Sequence, residues 1–119
     1  DATVKVKATV LQDALKDAGL LSTHLTLGAK QEMFFVKAVS SKGELLNETP
    51  KGSETMPDLS VKKDCSSMFP LDYLSDMLKA AAVDTDVIIK LKENAPVEIN
   101  YKIGEAKMRY FLAPRIESA

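Results

Sequence analysis

At 119 residues the chain is long enough for one domain with its own hydrophobic core, and its 45% apolar and 28% charged residues match an ordinary globular protein. No apolar run approaches the roughly 18 residues of a membrane helix, no basic-then-apolar leader opens the chain, and a net charge of −1 lacks the basic excess of a protein that grips nucleic acid by charge. The single cysteine, Cys65, excludes an intrachain disulfide and a multi-cysteine metal site, and suits a reducing, intracellular setting. The start at Asp1 instead of Met suits a processed or excised piece.

In chain order, Val4, Val6 and Ala8 alternate with Lys5, Lys7 and Thr9 as in a half-buried strand. The spacing Thr9-x-x-Gln12 predicts a capping box that opens a helix. Leu11, Ala14, Leu15 and Ala18 lie on one face of that helix, and Gly19 is placed for a left-handed stop. Strands are expected over 21–27, with Leu21, Thr23, Leu25 and Leu27 on one side, over 32–39, and more weakly over 43–48. The stretch 49–57, punctuated by Pro50, Gly52 and Pro57, reads as a loop.

Short strands follow over 59–62 and 65–69. Pro70 suits the first turn of a second helix, with Leu71, Leu74, Leu78 and Ala81 as its apolar face. Three more strands are expected over 85–92, 96–103 and 106–113. In the middle one Val97, Ile99, Tyr101 and Ile103 alternate with Glu98, Asn100 and Lys102, as a sheet with one wet face requires. The chain also matches itself: Leu11, Asp13, Leu15, Lys16 and Ala18 fall on Leu74, Asp76, Leu78, Lys79 and Ala81 at an offset of 63 residues. Two tandem β-α-β-β-β units, 1–63 and 64–119, are the organisation this implies. The fold class is α+β, with two helices packed on one face of antiparallel sheet.

Three strings carry a family resemblance. They are Phe69-Pro70-Leu71-Asp72-Tyr73-Leu74-Ser75-Asp76-Met77-Leu78-Lys79, Asn94-Ala95-Pro96-Val97-Glu98-Ile99-Asn100-Tyr101, and most specifically Tyr110-Phe111-Leu112-Ala113-Pro114-Arg115-Ile116-Glu117. They resemble the second helix, a proline-led strand start and the terminal tail of the carboxy-terminal domain of DNA sliding clamps of the proliferating-cell-nuclear-antigen (PCNA) family, archaeal members in particular. The resemblance spans nearly the whole chain and is weakest over 40–63. It covers only half of a clamp subunit, since the amino-terminal domain and connector are missing. An excised domain, half of a split clamp and a self-assembling domain all fit.

The resemblance implies a processivity factor. Such a domain is part of a ring, with itself or with an amino-terminal clamp half, that encircles duplex DNA by topology and without sequence preference. It would tether polymerases, nucleases, ligases and the clamp loader through a pocket for PCNA-interacting peptides. Ala95, Pro96, Phe111, Ala113 and Pro114 would line that pocket, with Ile116 at its edge. The strand pattern agrees: Lys107 and Arg109 want water, so Phe111 should emerge beside them, and an exposed aromatic among apolar neighbours marks a partner site. Alternatively, Ile116 folds over Phe111 as core.

By the same carry-over Lys16 and Lys79 face DNA from the helices. Asp13, Asp17, Asp72 and Asp76 make that face more acidic than the family pattern, which leaves Lys5 and Lys7 as compensating DNA-facing charges or the faces as merely solvated. Glu44, Leu45, Leu46 and Glu48 would form an edge strand that pairs with the next subunit. A stand-alone interaction domain that docks on clamp partners without encircling DNA is the competing class.

Catalysis finds little support. His24 is the sole histidine, no glycine loop cradles phosphate, and the aspartates lie on polar helix faces. No enzyme activity, cofactor, metal or membrane contact is expected. The implied compartment is cytoplasm or nucleoid in an archaeon and nucleus in a eukaryote.

Overall fold

Residues 1–115 are described by the computed structural model. The element order is β1 (Ala2–Lys7), α1 (Ala8–Ala18), β2 (His24–Lys30), β3 (Met33–Ser40), β4 (Gly43–Pro50), β5 (Asp58–Val61), β6 (Cys65–Pro70), α2 (Leu71–Leu78), β7 (Asp86–Leu91), β8 (Val97–Ile103) and β9 (Ala106–Leu112). All strand pairs are antiparallel, in a five-stranded sheet β5-β1-β7-β8-β9 and a four-stranded sheet β4-β3-β2-β6. The expected α+β class therefore holds, with the helices braced against two sheets instead of one.

The run β1-α1-β2-β3-β4 and the run β6-α2-β7-β8-β9 are interlocked, and β5 between them pairs beside β1. Their first strands are exchanged: β1 pairs with β7 of the second run, and β6 pairs with β2 of the first. Neither run therefore has a complete sheet of its own. The helices meet between the sheets, where Leu11 and Leu15, Leu74 and Leu78, Leu27 and Val36, and Ile89 and Ile99 surround a void of about 10 Å³. That volume is at the lower limit for one water, and its lining offers no polar partner. Burial of Leu11 and Leu15 stabilises the fold by about 1.5–3 kcal/mol each.

Helix ends depart from the sequence expectation. Thr9 lies inside α1, whose N-cap Lys7 makes no side-chain capping bond, so the capping box does not form. Gln12 turns instead to the other helix, where its Nε2 donates to the carbonyls of Leu78 (3.1 Å) and Ala81 (2.9 Å). Leu78 O also accepts the Ala81 N–H at 3.1 Å, so Gln12 ties the turn that follows α2 to α1, and a tertiary contact outcompetes a local one. Gly19 stays helical at φ −63° and its N–H donates to Leu15 O, so no left-handed stop is used. The turn continues as the N–H groups of Leu21 and Ser22 donate to Ala18 O, which delays β2 to His24. The segment read as a loop from 49 gives up its first two residues to β4, which pairs with β3 as far as Pro50 opposite Met33.

Candidate docking surface

β9 is an edge strand, paired only with β8. Its alternation sends Met108, Tyr110 and Leu112 toward the core and Lys107, Arg109 and Phe111 outward. Phe111 is 61% exposed, a large cost for an aromatic left without a partner. The register Val97 opposite Leu112 carries Pro96, just before β8, to the level of Ala113. Pro96 and Ala113 are exposed, and Ala95 and Pro114 half-buried. These five of the expected pocket residues thus gather at one end of the β8–β9 pair. Ile116, the sixth, lies outside the described residues.

The loop that presents Ala95 and Pro96 is pinned from below. Asn94 adopts φ +52°, a left-handed conformation that asparagine tolerates better than most residues. Its N–H donates to the buried Ser67 Oγ at 2.8 Å, and that hydroxyl donates to Lys92 O at 3.2 Å. After β9 the chain crosses to the other sheet, where Arg115 N–H donates to Met68 O at 2.7 Å. Arg115 Nη1 lies 3.1 Å from His24, which ties the expected lone surface histidine to the tail. Beside Phe111, Glu98 is held below the usual carboxylate range, first by the Asn100 amide and then by the charges of Lys90 and Arg109.

Under this surface the rings of Tyr101 and Tyr110 stack at 6.0 Å, and Tyr101 Oη donates to Met77 O in the last turn of α2 at 2.5 Å. Burial, then the neighbouring Tyr110, push the Tyr101 phenol up to about 12 from an ordinary 10.0. A raised folded-state pKa contributes stability that is complete below pH 10.0 and disappears as pH climbs through about 12. Ultraviolet titration should therefore find one of the three tyrosines ionising late, together with loss of structure. Tyr101→Phe should abolish that late step; three phenols titrating together near 10.0 would contradict the assignment.

The charged helix face and the strand lysines do not come together. Lys16 and Lys79 are exposed on the helix pair, with Asp13, Asp17, Asp72 and Asp76 exposed beside them, and Lys79 Nζ is 3.2 Å from Asp76. Lys5 and Lys7 alternate with the fully buried Val4 and Val6, so they leave β1 on the side away from the core and its helices. Both turn to Asp86, at 3.8 and 2.6 Å. The expectation that they supplement a DNA-facing helix surface is corrected by this strand alternation. The expected interface strand is β4, an edge paired only with β3. There Glu44, Leu46 and Glu48 are exposed, Leu45 packs against the core, and Glu44 is 3.5 Å from Lys37.

Cys65 is buried, and burial pushes its thiol up, away from the reactive thiolate. Among the described residues no group of three or more His, Cys, Asp or Glu side chains could hold a metal ion, and no helix is long and apolar enough to cross a membrane. In the outward row Lys5, Ile88, Asn100 and Arg109, sequence reasoning gave a role only to Lys5, as a DNA-facing charge. Asn100 and Arg109 looked like ordinary wet-face residues until pairing aligned the four strands.

Two antiparallel sheets with exchanged first strands, a bracing helix pair and an apolar tail surface at an edge strand define a clamp-type domain. The solved PCNA of Thermococcus kodakaraensis superimposes with a TM-score of 0.90 at 27% identity, covering 96% of this chain and 47% of that one. The structure titled as the C-terminal region of FEN-1 bound to A. fulgidus PCNA also gives 0.90 at 27% identity, covering 99% and 48%. The DNA polymerase sliding clamp of Methanopyrus kandleri is 37% identical over 117 residues, 96% of this chain and 46% of the relative. That of Thermococcus onnurineus is 34% identical, over 98% and 47%. The family described as proliferating cell nuclear antigen, C-terminal domain, matches residues 1–116, and the chain belongs to it. It spans about half the length of the relatives it matches.

Proposed function

We propose that the chain acts without catalysis of its own, as the carboxy-terminal domain of a sliding clamp that encircles duplex DNA and tethers replication and repair enzymes. The observation that carries this is the exposed Phe111 beside Pro96, Ala113 and Pro114 on a fold that superimposes on half of a clamp subunit. Tethering converts repeated bimolecular encounters into an intramolecular one at high effective concentration. A polymerase, nuclease, ligase or clamp loader would insert a short apolar turn among Ala95, Pro96, Phe111, Ala113 and Pro114. The helix face with Lys16 and Lys79 would look toward the phosphates. With four carboxylates beside those two lysines, retention on DNA would depend on closure and not on charge.

β4, with Glu44, Leu45, Leu46 and Glu48, offers an unpaired edge through which a ring could close. Sedimentation of the chain, alone and with an amino-terminal clamp half, tests this reading. A closed oligomer that is retained on circular duplex but slides off linear duplex is the expected result. A chain that stays monomeric under both conditions removes the ring and leaves a stand-alone interaction domain. Within the assembled ring, Phe111→Ala should weaken a clamp-binding peptide by about tenfold or more, as loss of an aromatic anchor does. Unchanged affinity in a titration would remove the pocket assignment.

A further inference from the structure

On the outward face of the five-stranded sheet, register sets Lys5, Ile88, Asn100 and Arg109 side by side on β1, β7, β8 and β9. The neighbouring row brings Lys102 opposite Lys107. A groove of about 690 Å³ runs over these residues. Its lining carries four cations, Lys5, Lys102, Lys107 and Arg109, against the single carboxylate of Asp86. That carboxylate is already engaged by Lys7 and Lys5. Lys102 and Lys107 make no ion pair among the described residues. Arg109, also without one, donates from Nε to Asn100 Oδ1 at 3.3 Å and lies near enough to Glu98 for its charge to act on that carboxylate. Between the cations the floor offers Ile88, 36% exposed in a row where water would favour a polar side chain.

Lys102 and Lys107, opposite each other and without a carboxylate partner, repel one another, and an anionic occupant would relieve the repulsion. The volume falls in the range of binding pockets, about 300–1,000 Å³. Lys5 lies two strands from Lys102, at about 10 Å. Lys102 and Lys107 face each other on neighbouring strands and Lys107 and Arg109 alternate on one strand, so these three are spaced by about 5–7 Å. Alternate side chains of an extended peptide repeat at that distance, whereas a single compact anion could reach only one or two of the cations. The aliphatic floor adds a preference that a sugar-phosphate backbone cannot meet. We propose that this groove is a docking site for an extended acidic segment of a partner protein, with an aliphatic side chain set between its carboxylates. The site adjoins the Phe111 surface along the same face of β9, shares no lining residue with it, and does not rest on the clamp reading.

Fluorescence anisotropy of the 119-residue chain with a labelled peptide of about ten residues, glutamates around a central leucine, tests the proposal. Saturable binding is expected, and Lys107→Glu/Arg109→Glu should weaken it by at least about tenfold. The charge-matched control Lys62→Glu/Lys63→Glu, on the β5–β6 turn, should change it by less than about twofold. Ile88→Ser should lower affinity for this peptide by about threefold and leave an all-glutamate peptide unaffected. Backbone amide shifts in the unmutated chain, expected on β1 and β7–β9, provide a readout that needs no variant to fold. The proposal is overturned by absent binding, by equal losses in the control variant, or by shifts centred elsewhere. An oligonucleotide of equal charge that binds as tightly as the peptide would also overturn it, and would mark a phosphate-binding surface instead.

Discussion

Phe69→Ala should lower the unfolding free energy of the chain by about 3–5 kcal/mol, the range for deleting a buried aromatic ring. Phe69 is completely buried and lies on β6, opposite Leu25 of β2. That pairing is where the second run's first strand enters the first run's sheet, so the ring packs at the exchange that locks the two halves together. Typical domains hold only about 5–15 kcal/mol in total, so the loss would leave a marginal fold. A urea melt should show a lower midpoint with little change in slope, because the surface exposed on unfolding is nearly the same. Phe111→Ala supplies the internal contrast. It removes a ring of similar size from a mostly exposed site and should shift stability by no more than about 0.5 kcal/mol. Equal effects at the two positions would mean that one of them is misplaced.

Gly28→Val should destabilise the chain by about 1–3 kcal/mol, an overpacking cost, although valine normally suits a strand better than glycine. Gly28 lies in β2 directly opposite Phe35 of β3. The Phe35 ring folds across the glycine, and a Cβ at position 28 would overlap ring atoms Cζ and Cε1. The ring would have to swing away, losing its seat on the backbone and its place under the Lys30 ammonium, now 5.6 Å from its centroid. The check is a double-mutant cycle. In a Phe35→Ala background the obstruction is gone, and Gly28→Val should become neutral or stabilising. A penalty that persists in that background would place the constraint in the backbone and not in the ring.

Both effects depend on contacts between residues far apart in the chain, and the two kinds of information divide along that line. Periodicity in the amino-acid sequence alone located both helices and all nine strands of the described residues to within a few residues, because each element must send apolar side chains to one side. Leu11, Leu15, Leu74 and Leu78 were identifiable as core for that reason, and so was the outward direction of Phe111, which shares its strand face with Lys107 and Arg109. The self-match at an offset of 63 residues came from the same source, since Leu11 and Leu15, like Leu74 and Leu78, each face the core.

Local patterns could not decide where competing partners lay in space. Gln12 had a local role available as a capping-box residue, yet it serves α2, because the carbonyls of Leu78 and Ala81 are brought within reach only by folding. Lys5 and Lys7 looked like free charge for a DNA-facing wall, but strand alternation turns them to the opposite side, beside Asp86. The exchange of β1 and β6, the ring resting on Gly28 and the cationic row across four strands are all consequences of register. Register is a relation between distant segments, set by which apolar faces can be buried together, and no single stretch of sequence contains it.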